Sequence, residues 1–401
     1  MSSSRGNLII IGASARAAAQ SALRAGYVPW CIDLFADRDL QAIAPVKKCP
    51  RELWPQGVLD LLKDAPDGPV LFTGAMENHP EAVEAIAAAR PLLTGPPGAM
   101  KKLRDPLASK CALAAAWGRA EGSATPPHGA REGDAWPREC ETMVAVSRLR
   151  RFAWKLGLGR PDGTMLVKPR QGSGIRKWRP GEPVDFDKEY LQQFIPGRPI
   201  SAVFHAWEEG TALFGISEQL VGDPSFGAGP FQYAGSIAPY EDTHQIWNAM
   251  NLLGTALAAW SEYRGLFGVD AIHALRRHGH FPSSDRTVFP VEVNPRYTAS
   301  IETLEQAAGQ SSLTFFARRD IAGPPPVFGG LFHGKAIIHA KARSEVKAMD
   351  LQSIADVPSV GEVIERGQPI CTVFTTGRTR DECLTRLRDL AAQVYTRLKL
   401  L

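Results

Sequence analysis

The sequence predicts an α/β protein of several domains: a Rossmann-like domain with a parallel sheet, then a longer middle unit, then a small α+β extension at the C-terminus. Three observations predict it. Strands and helices alternate through the first ninety residues, as they do in parallel sheets. Proline and glycine cluster at Thr94-Gly95-Pro96-Pro97-Gly98 and again at Pro324-Pro325-Pro326 and Gly329-Gly330, where helix and central strand both stop. Between and beyond those clusters short apolar runs dominate. A chain of 401 residues is also too long for one hydrophobic core, since cores stop growing beyond roughly 250 to 300 residues. The expected units are 1–95, 96–330 and 331–401.

Residues 8–11 form an apolar run of buried-strand type, Gly12-Ala13-Ser14 a tight turn, and residues 15–25 an Ala-rich helix ended by Gly26. Residues 27–34 supply the next strand and complete a β-α-β unit. A third strand at 70–73 leads to Asn78, read as the cap of a helix that runs from Pro80 to about Arg90. The first glycine cluster reads as a linker. Beyond it, a strand from Thr164 reaches Lys168-Pro169, a glycine loop follows, and strands are expected at 190–195, 200–206 and 213–217. A long helix at 248–261 precedes strands at 266–274 and 288–293, joined by a polar hairpin connection at 276–286. After the second cluster come strands at 335–342 and 367–375. Thr379-Arg380-Asp381-Glu382 is a capping box that opens a final helix. Its apolar face is Leu384, Leu387, Ala391, Val394 and Leu398.

Composition excludes several classes. The net charge of +4 does not describe a globally basic nucleic-acid binder. Locally, residues 147–180 hold ten Lys and Arg against the single acid Asp162, the footprint of a polyanion such as nucleotide phosphates or of a solvated basic face. The six cysteines form no CxxC pair and no zinc spacing, so they read as reduced thiols of a cytoplasmic protein. The apolar run at 8–11 is too short for a signal-peptide core, and no stretch approaches the roughly 20 apolar residues that span a bilayer. The turn Gly12-Ala13-Ser14-Ala15-Arg16 lacks the second glycine of a dinucleotide fingerprint. No Walker motif occurs either.

The chemistry is concentrated in four places. In Phe289-Pro290-Val291-Glu292-Val293-Asn294-Pro295-Arg296, strand alternation aims Glu292 and Asn294 to one face and Val291 and Val293 into the core. A carboxylate beside an amide oxygen suits Mg²⁺, which takes few protein ligands and leaves room for phosphates. Arg296 follows, placed for a phosphate or an oxyanion. Gly265-Leu266-Phe267-Gly268-Val269-Asp270 ends another strand with a second carboxylate for the same metal. Upstream, Lys168 ends an apolar strand, and Gln171-Gly172-Ser173-Gly174 follows as a loop able to turn backbone N–H groups toward phosphate.

In this order, with Gln192-Gln193-Phe194-Ile195-Pro196-Gly197 between, these motifs resemble the ATP-grasp superfamily. Asp356-Val357-Pro358 and Gly367-Gln368-Pro369-Ile370 are similar to the closing segment of its biotin carboxylase-like members. Glu77-Asn78-His79-Pro80, Glu218-Gln219-Leu220 and Tyr297-Thr298-Ala299-Ser300 resemble a group of carboxylate-amine ligases whose relatives are associated with methanofuran- and tetrahydromethanopterin-type one-carbon cofactors. The resemblance implies a two-subdomain ATP-grasp core. It implies that Lys168 contacts ATP phosphates under a cover of Gly172, Ser173 and Gly174, and that Gln193, Phe194 and Ile195 read adenine. Asp270, Glu292 and Asn294 would hold Mg (or Mn), and Arg296 would meet the γ-phosphate or acyl-phosphate.

Two departures stand out. Gln193 replaces a frequent Glu, and Arg104-Asp105-Pro106 occupies the usual place of an earlier phosphate-binding lysine, for which Lys110 is a candidate. Ser14, Glu77, Glu218 and Gln219 are weaker candidates for substrate contact. The implied activity joins a small-molecule carboxylate to an amine through an acyl-phosphate. The implied partners are those substrates and a second copy of the chain in a homodimer, with no nucleic acid and no membrane. A biotin-dependent carboxylase, a small-molecule kinase and a nucleotide-sensing or nucleic-acid-binding protein are the competing readings.

Overall fold

The computed structural model describes residues 5–116, 142–144, 163–172, 174–241, 244–274, 287–317, 326–348 and 353–401. Ser173, Cys140, Pro324-Pro325, the expected connection at 276–286 and residues 147–162 of the basic stretch lie outside the described residues.

The N-terminal sheet is parallel throughout, in the order β3-β2-β1-β4, with β1 (Asn7–Gly12), β2 (Val28–Asp33), β3 (Val46–Lys48) and β4 (Val70–Phe72). Both its faces are covered, which is why β1 reads as a continuous apolar run. Leu8 and Ile10 pack with Ala18 and Ala22 of helix α1 (Arg16–Arg24), while Ile9 and Ile11 pack with Val58, Val83 and Ile86 on the other side. Gly12 is required by this packing: a Cβ there would lie 1.8 Å from Thr73 Oγ1. Helix α2 (Pro80–Ala89) is capped at His79 and not at Asn78, with no side-chain cap bond. The expected linker also differs, because Pro97 opens a helix, α3 (Pro97–Leu103), with Pro at its first turn, where the missing N–H costs nothing. Helix α4 (Ala108–Ala116) follows.

Two further sheets face each other across a cleft. The smaller holds β5 (Thr142–Met143), β6 (Met165–Pro169), β7 (Arg176–Lys177) and β8 (Glu189–Gln193) in the order β5-β8-β6-β7, all antiparallel. Met165, Val167 and Leu191 form its apolar face with Met143 and Val184. The larger is antiparallel and runs β13-β12-β9-β10-β11-β14-β18-β16. It comprises β9 (Gly197–Trp207), β10 (Gly210–Val221), β11 (Tyr233–Ala238), β12 (Gly265–Ala274), β13 (Thr287–Asn294), β14 (Phe332–His339), β16 (Ile354–Ala355) and β18 (Pro369–Gly377). Helix α5 (His244–Ser261) covers one face, where Leu253 and Leu257 meet the stacked rings of Phe204 and Phe267, 5.0 Å apart. Helix α6 (Ala299–Ala308) covers the other through Ile301 and Leu304 against Val203 and Phe214.

The chain's last part is sewn into that same sheet, since β14 pairs with β11 and β18 with β14. The remaining strands β15 (Ser344–Val346), β17 (Val363–Ile364) and β19 (Leu398–Leu400) form a separate three-stranded sheet. Helix α7 (Arg380–Tyr395) buries Leu384, Leu387, Ala391 and Val394 against Ile338 and Val373. Leu398 lies past its end, in β19. The capping box is modified: Thr379 Oγ1 accepts from the Glu382 N–H at 3.1 Å, but the Glu382 carboxylate takes the Arg378 N–H at 2.7 Å.

One buried ionic cluster ties the three parts together. Arg16 of α1, 2% exposed, pairs with Glu302 of α6 and with Asp356 beside β16, the latter at 2.7 Å. Lys335 of β14 reaches the same Glu302 at 3.0 Å.

Candidate active site

Between the two facing sheets lies a cavity of about 730 Å³, within the range of small-molecule sites. Lys168, Gly172, Gly174, Asp270, Glu292, Asn294 and Arg296 all line it. Gln193, Phe194 and Ile195 are not on its wall, and the Phe194 N–H is spent on Thr164 O at 2.8 Å. Of the weaker candidates, Glu77, Gln219 and Lys110 reach the cavity. Glu218 instead pairs with Arg380 at 2.6 Å.

Strand register accounts for the convergence. Asp270 on β12 stands opposite Glu292 on β13, and Gly268 opposite Asn294. The register shifts between Asp270 and Ala271, where Pro290 pairs with Ala271, so Val291 is left over as a bulge. Val291 is therefore only half-buried and does not enter the core as alternation predicts. Its freed carbonyl accepts from Lys168 Nζ at 3.1 Å.

Lys168 on β6 is 7% exposed and stands opposite Tyr190 on β8. Its ammonium also donates to Gln192 Oε1 at 3.1 Å and lies 5.8 Å from the centre of the Tyr190 ring. Burial works against this charge, but Tyr190 and the Glu292 carboxylate outweigh it and hold the pKa above the ordinary lysine range. Burial likewise opposes ionised Glu292, although its side chain is 38% exposed. Lys168 and Arg104 overcome that and keep its carboxyl below the usual range. Asp270 is less well compensated: burial, then the Glu292 charge, push it up to about 6. It accepts from Gln219 Nε2 at 2.9 Å and Asn294 Nδ2 at 3.0 Å.

Arg104 follows α3 and enters the site from the N-terminal side. It binds Glu292 at 2.8 Å, Asn78 Oδ1 at 3.1 Å and Asn294 Oδ1 at 3.4 Å. Arg296 approaches the same Asn294 oxygen at 3.4 Å and pairs with Glu77. Two guanidiniums thus converge on one amide oxygen. Two carboxylates in register, one of them under-compensated, are the donor set that a hard divalent cation fits. Among the described residues, no three His, Cys, Asp or Glu gather in a way that makes a protein-only metal cage.

Sequence reasoning missed Tyr190 and Gln192. They share a face of β8 with each other and sit opposite Lys168 and Leu166, whereas Gln193 points the other way. The alternating pattern of residues 190 and 192 was the available signal.

A cleft between two antiparallel sheets, lined by a glycine loop and by carboxylates on adjacent strands, is the arrangement of the ATP-grasp fold. Residues 155–300 match the family model of the ATP-grasp domain. Over 222 residues it is 26% identical to an uncharacterized protein of Methanocaldococcus jannaschii. That match covers 53% of this chain and 50% of the relative, so it spans about half the relative's length. The biotin carboxylase domain dimer of Hydrogenobacter thermophilus 2-oxoglutarate carboxylase, solved with magnesium ADP, ADP and bicarbonate, has TM-score 0.66 at 12% identity, over 98% of this chain and 90% of that one. L-amino acid ligase from Bacillus licheniformis has TM-score 0.63 at 15% identity, over 100% and 99% of the two chains. At these identities the likeness is one of fold. Among the described residues no helix is long and apolar enough to cross a membrane.

Proposed function

We propose that this protein is an ATP-dependent ligase that joins a small-molecule carboxylate to an amine and releases ADP and phosphate. The observation that carries the reading is the meeting of Lys168, Asp270, Glu292, Asn294 and Arg296 on one cleft between the sheets. ATP would lie with its phosphates toward Lys168, beneath the loop of Gly172 and Gly174, whose φ angles of +82° and +120° are ones that side-chain-bearing residues rarely adopt. Adenine would meet the stretch 193–195 at the end of β8, with contacts narrowed to the groups that the Phe194–Thr164 bond leaves. Asp270, Glu292 and Asn294 would hold magnesium, which when bound supplies positive charge to the phosphate oxygens.

The chain's own residues account for the rest. The substrate carboxylate oxygen attacks the γ-phosphorus, the bond to ADP breaks, and the Lys168 ammonium offsets charge gathering on the phosphoryl oxygens. Arg296 orients the resulting acyl-phosphate. The neutral amine nitrogen then forms a bond to the acyl carbon as the C–O bond to phosphate breaks, and one N–H proton leaves with the phosphate, giving the amide. Closure of the glycine loop keeps water from the acyl-phosphate.

The test is a screen of purified protein with Mg-ATP against carboxylates paired with amino acids, read by ADP release and product mass. Lys168→Ala and Glu292→Ala should each abolish ADP production with circular dichroism unchanged. Wild-type turnover in either variant refutes the site. Phosphorylated carboxylate as the end product, with no amide, makes the protein a kinase.

A further inference from the structure

No step of the ligase reaction uses Arg104, yet it holds oxygens that the metal would take. Its Nη1 lies 2.8 Å from Glu292 Oε1, 3.1 Å from Val293 O and 3.4 Å from Asn294 Oδ1. The two N–H bonds of that nitrogen thus face three oxygens, and acceptors are in surplus. Nη2 donates to Asn78 Oδ1 at 3.1 Å, while the Nε–H is buried with no partner. The Arg104 side chain is 17% exposed and that of Glu292 38%, so water reaches the pair. An unmet buried donor and a partly wet ion pair make a contact that is open to exchange.

Nη1 sits among the same oxygens toward which a cation held by Glu292 and Asn294 is drawn, and two positive groups repel each other there. Lys168, Arg104 and Arg296 already stand against Asp270, Glu292 and Glu77 on the cavity wall. A bare divalent cation therefore adds charge that nothing meets. A metal carried by a nucleotide brings phosphates, which meet its charge and offer the displaced guanidinium paired oxygen acceptors.

We propose that Arg104 sets the order of binding: it holds the oxygens of Glu292 and Asn294 against free cation, yields them to a metal–nucleotide complex, and turns to the phosphates. This deepens the ligase reading and rests on its metal and nucleotide site.

The experiment measures binding of Mn²⁺, ADP and Mn-ADP to the full chain, Mn²⁺ by electron paramagnetic resonance and the nucleotides by calorimetry. Arg104→Met should bind Mn²⁺ alone about tenfold more tightly than wild type. The coupling, which is the affinity for Mn-ADP over the product of the separate affinities, should be about tenfold smaller in Arg104→Met, because the nucleotide has no guanidinium to draw off the oxygens. Loss of mere through-space repulsion changes the separate affinities and leaves the coupling as it was. Asn78→Ala keeps every charge but frees one bond that holds the guanidinium, so Mn²⁺ alone should bind about threefold more tightly. Repulsion alone predicts no change there, and this variant decides the matter if Arg104→Met does not fold. Equal coupling in wild type and Arg104→Met, or unchanged Mn²⁺ affinity in Asn78→Ala, overturns the proposal and leaves the ligase reading standing. Failure of the wild type to bind Mn-ADP removes the nucleotide site and the proposal with it.

Discussion

Glu302→Gln probes the cluster that joins the first helix to the rest of the molecule. Glu302 is 2% exposed, and burial alone would raise its carboxyl pKa. Arg16 and Lys335 overturn that effect and hold it at about 2, against 4.5 for a free glutamate. A group whose pKa is depressed by folding contributes stability that is complete above its unfolded value and is lost as pH falls through its folded value. The shift corresponds to about 3 kcal/mol at pH 7, of which about 1 kcal/mol remains at pH 3. Glutamine keeps the shape but leaves Arg16 and Lys335 buried with less compensation, so the variant should lose about 3 to 5 kcal/mol at neutral pH. Urea unfolding of both proteins across pH 3 to 7 measures the gap, and other titrating groups cancel in the difference. The gap should shrink by about 2 kcal/mol toward pH 3. A gap independent of pH would refute the argument that Glu302 is ionised and paired in the folded protein.

Lys168→Met removes the buried ammonium and its bonds to Gln192 and Val291. Loss of one charge-assisted contact to phosphate should weaken Mg-ATP binding by about 10- to 100-fold in calorimetry, and affinity within twofold of wild type would exclude Lys168 from the nucleotide site. Gly172→Val places a β-branched residue at φ +82°, in space where nothing else lies within 4 Å, so any penalty is purely one of backbone. Turnover should fall about tenfold with a melting shift of no more than about 4 °C, and full turnover would show that the loop's conformation is immaterial.

Much of this architecture was legible because its signals are local. The β1-α1-β2 unit, the long α5 and the carboxylates of β12 and β13 all announce themselves through periodicity. What escaped depends on distant partners. Strand β11, Tyr-Ala-Gly-Ser-Ile-Ala, has side chains too small to show alternation, and it is a strand because β10 and β14 flank it. Helix α6 buries Glu302 and Glu305, which look like surface residues until Arg16 and Ser21 arrive from the other end of the chain. Gln192 shares a face of β8 with Tyr190 opposite Lys168, and one residue on, Gln193 takes the other face, a distinction that depends on the pairing of β8 with β6. The bulge at Val291 is a register property of two strands together, so one strand's pattern is silent on it.

The partnership of Arg16 with Asp356 spans 340 positions. At about 5 to 20 residues per second, a ribosome needs roughly 20 to 70 seconds to deliver the second after the first. Until then only Asp39, 3.6 Å from Arg16, and later Glu302 are at hand to neutralise the guanidinium of the nascent α1. The closing contact between the first helix and the segment beside β16 is thereby deferred until residue 356 has been made.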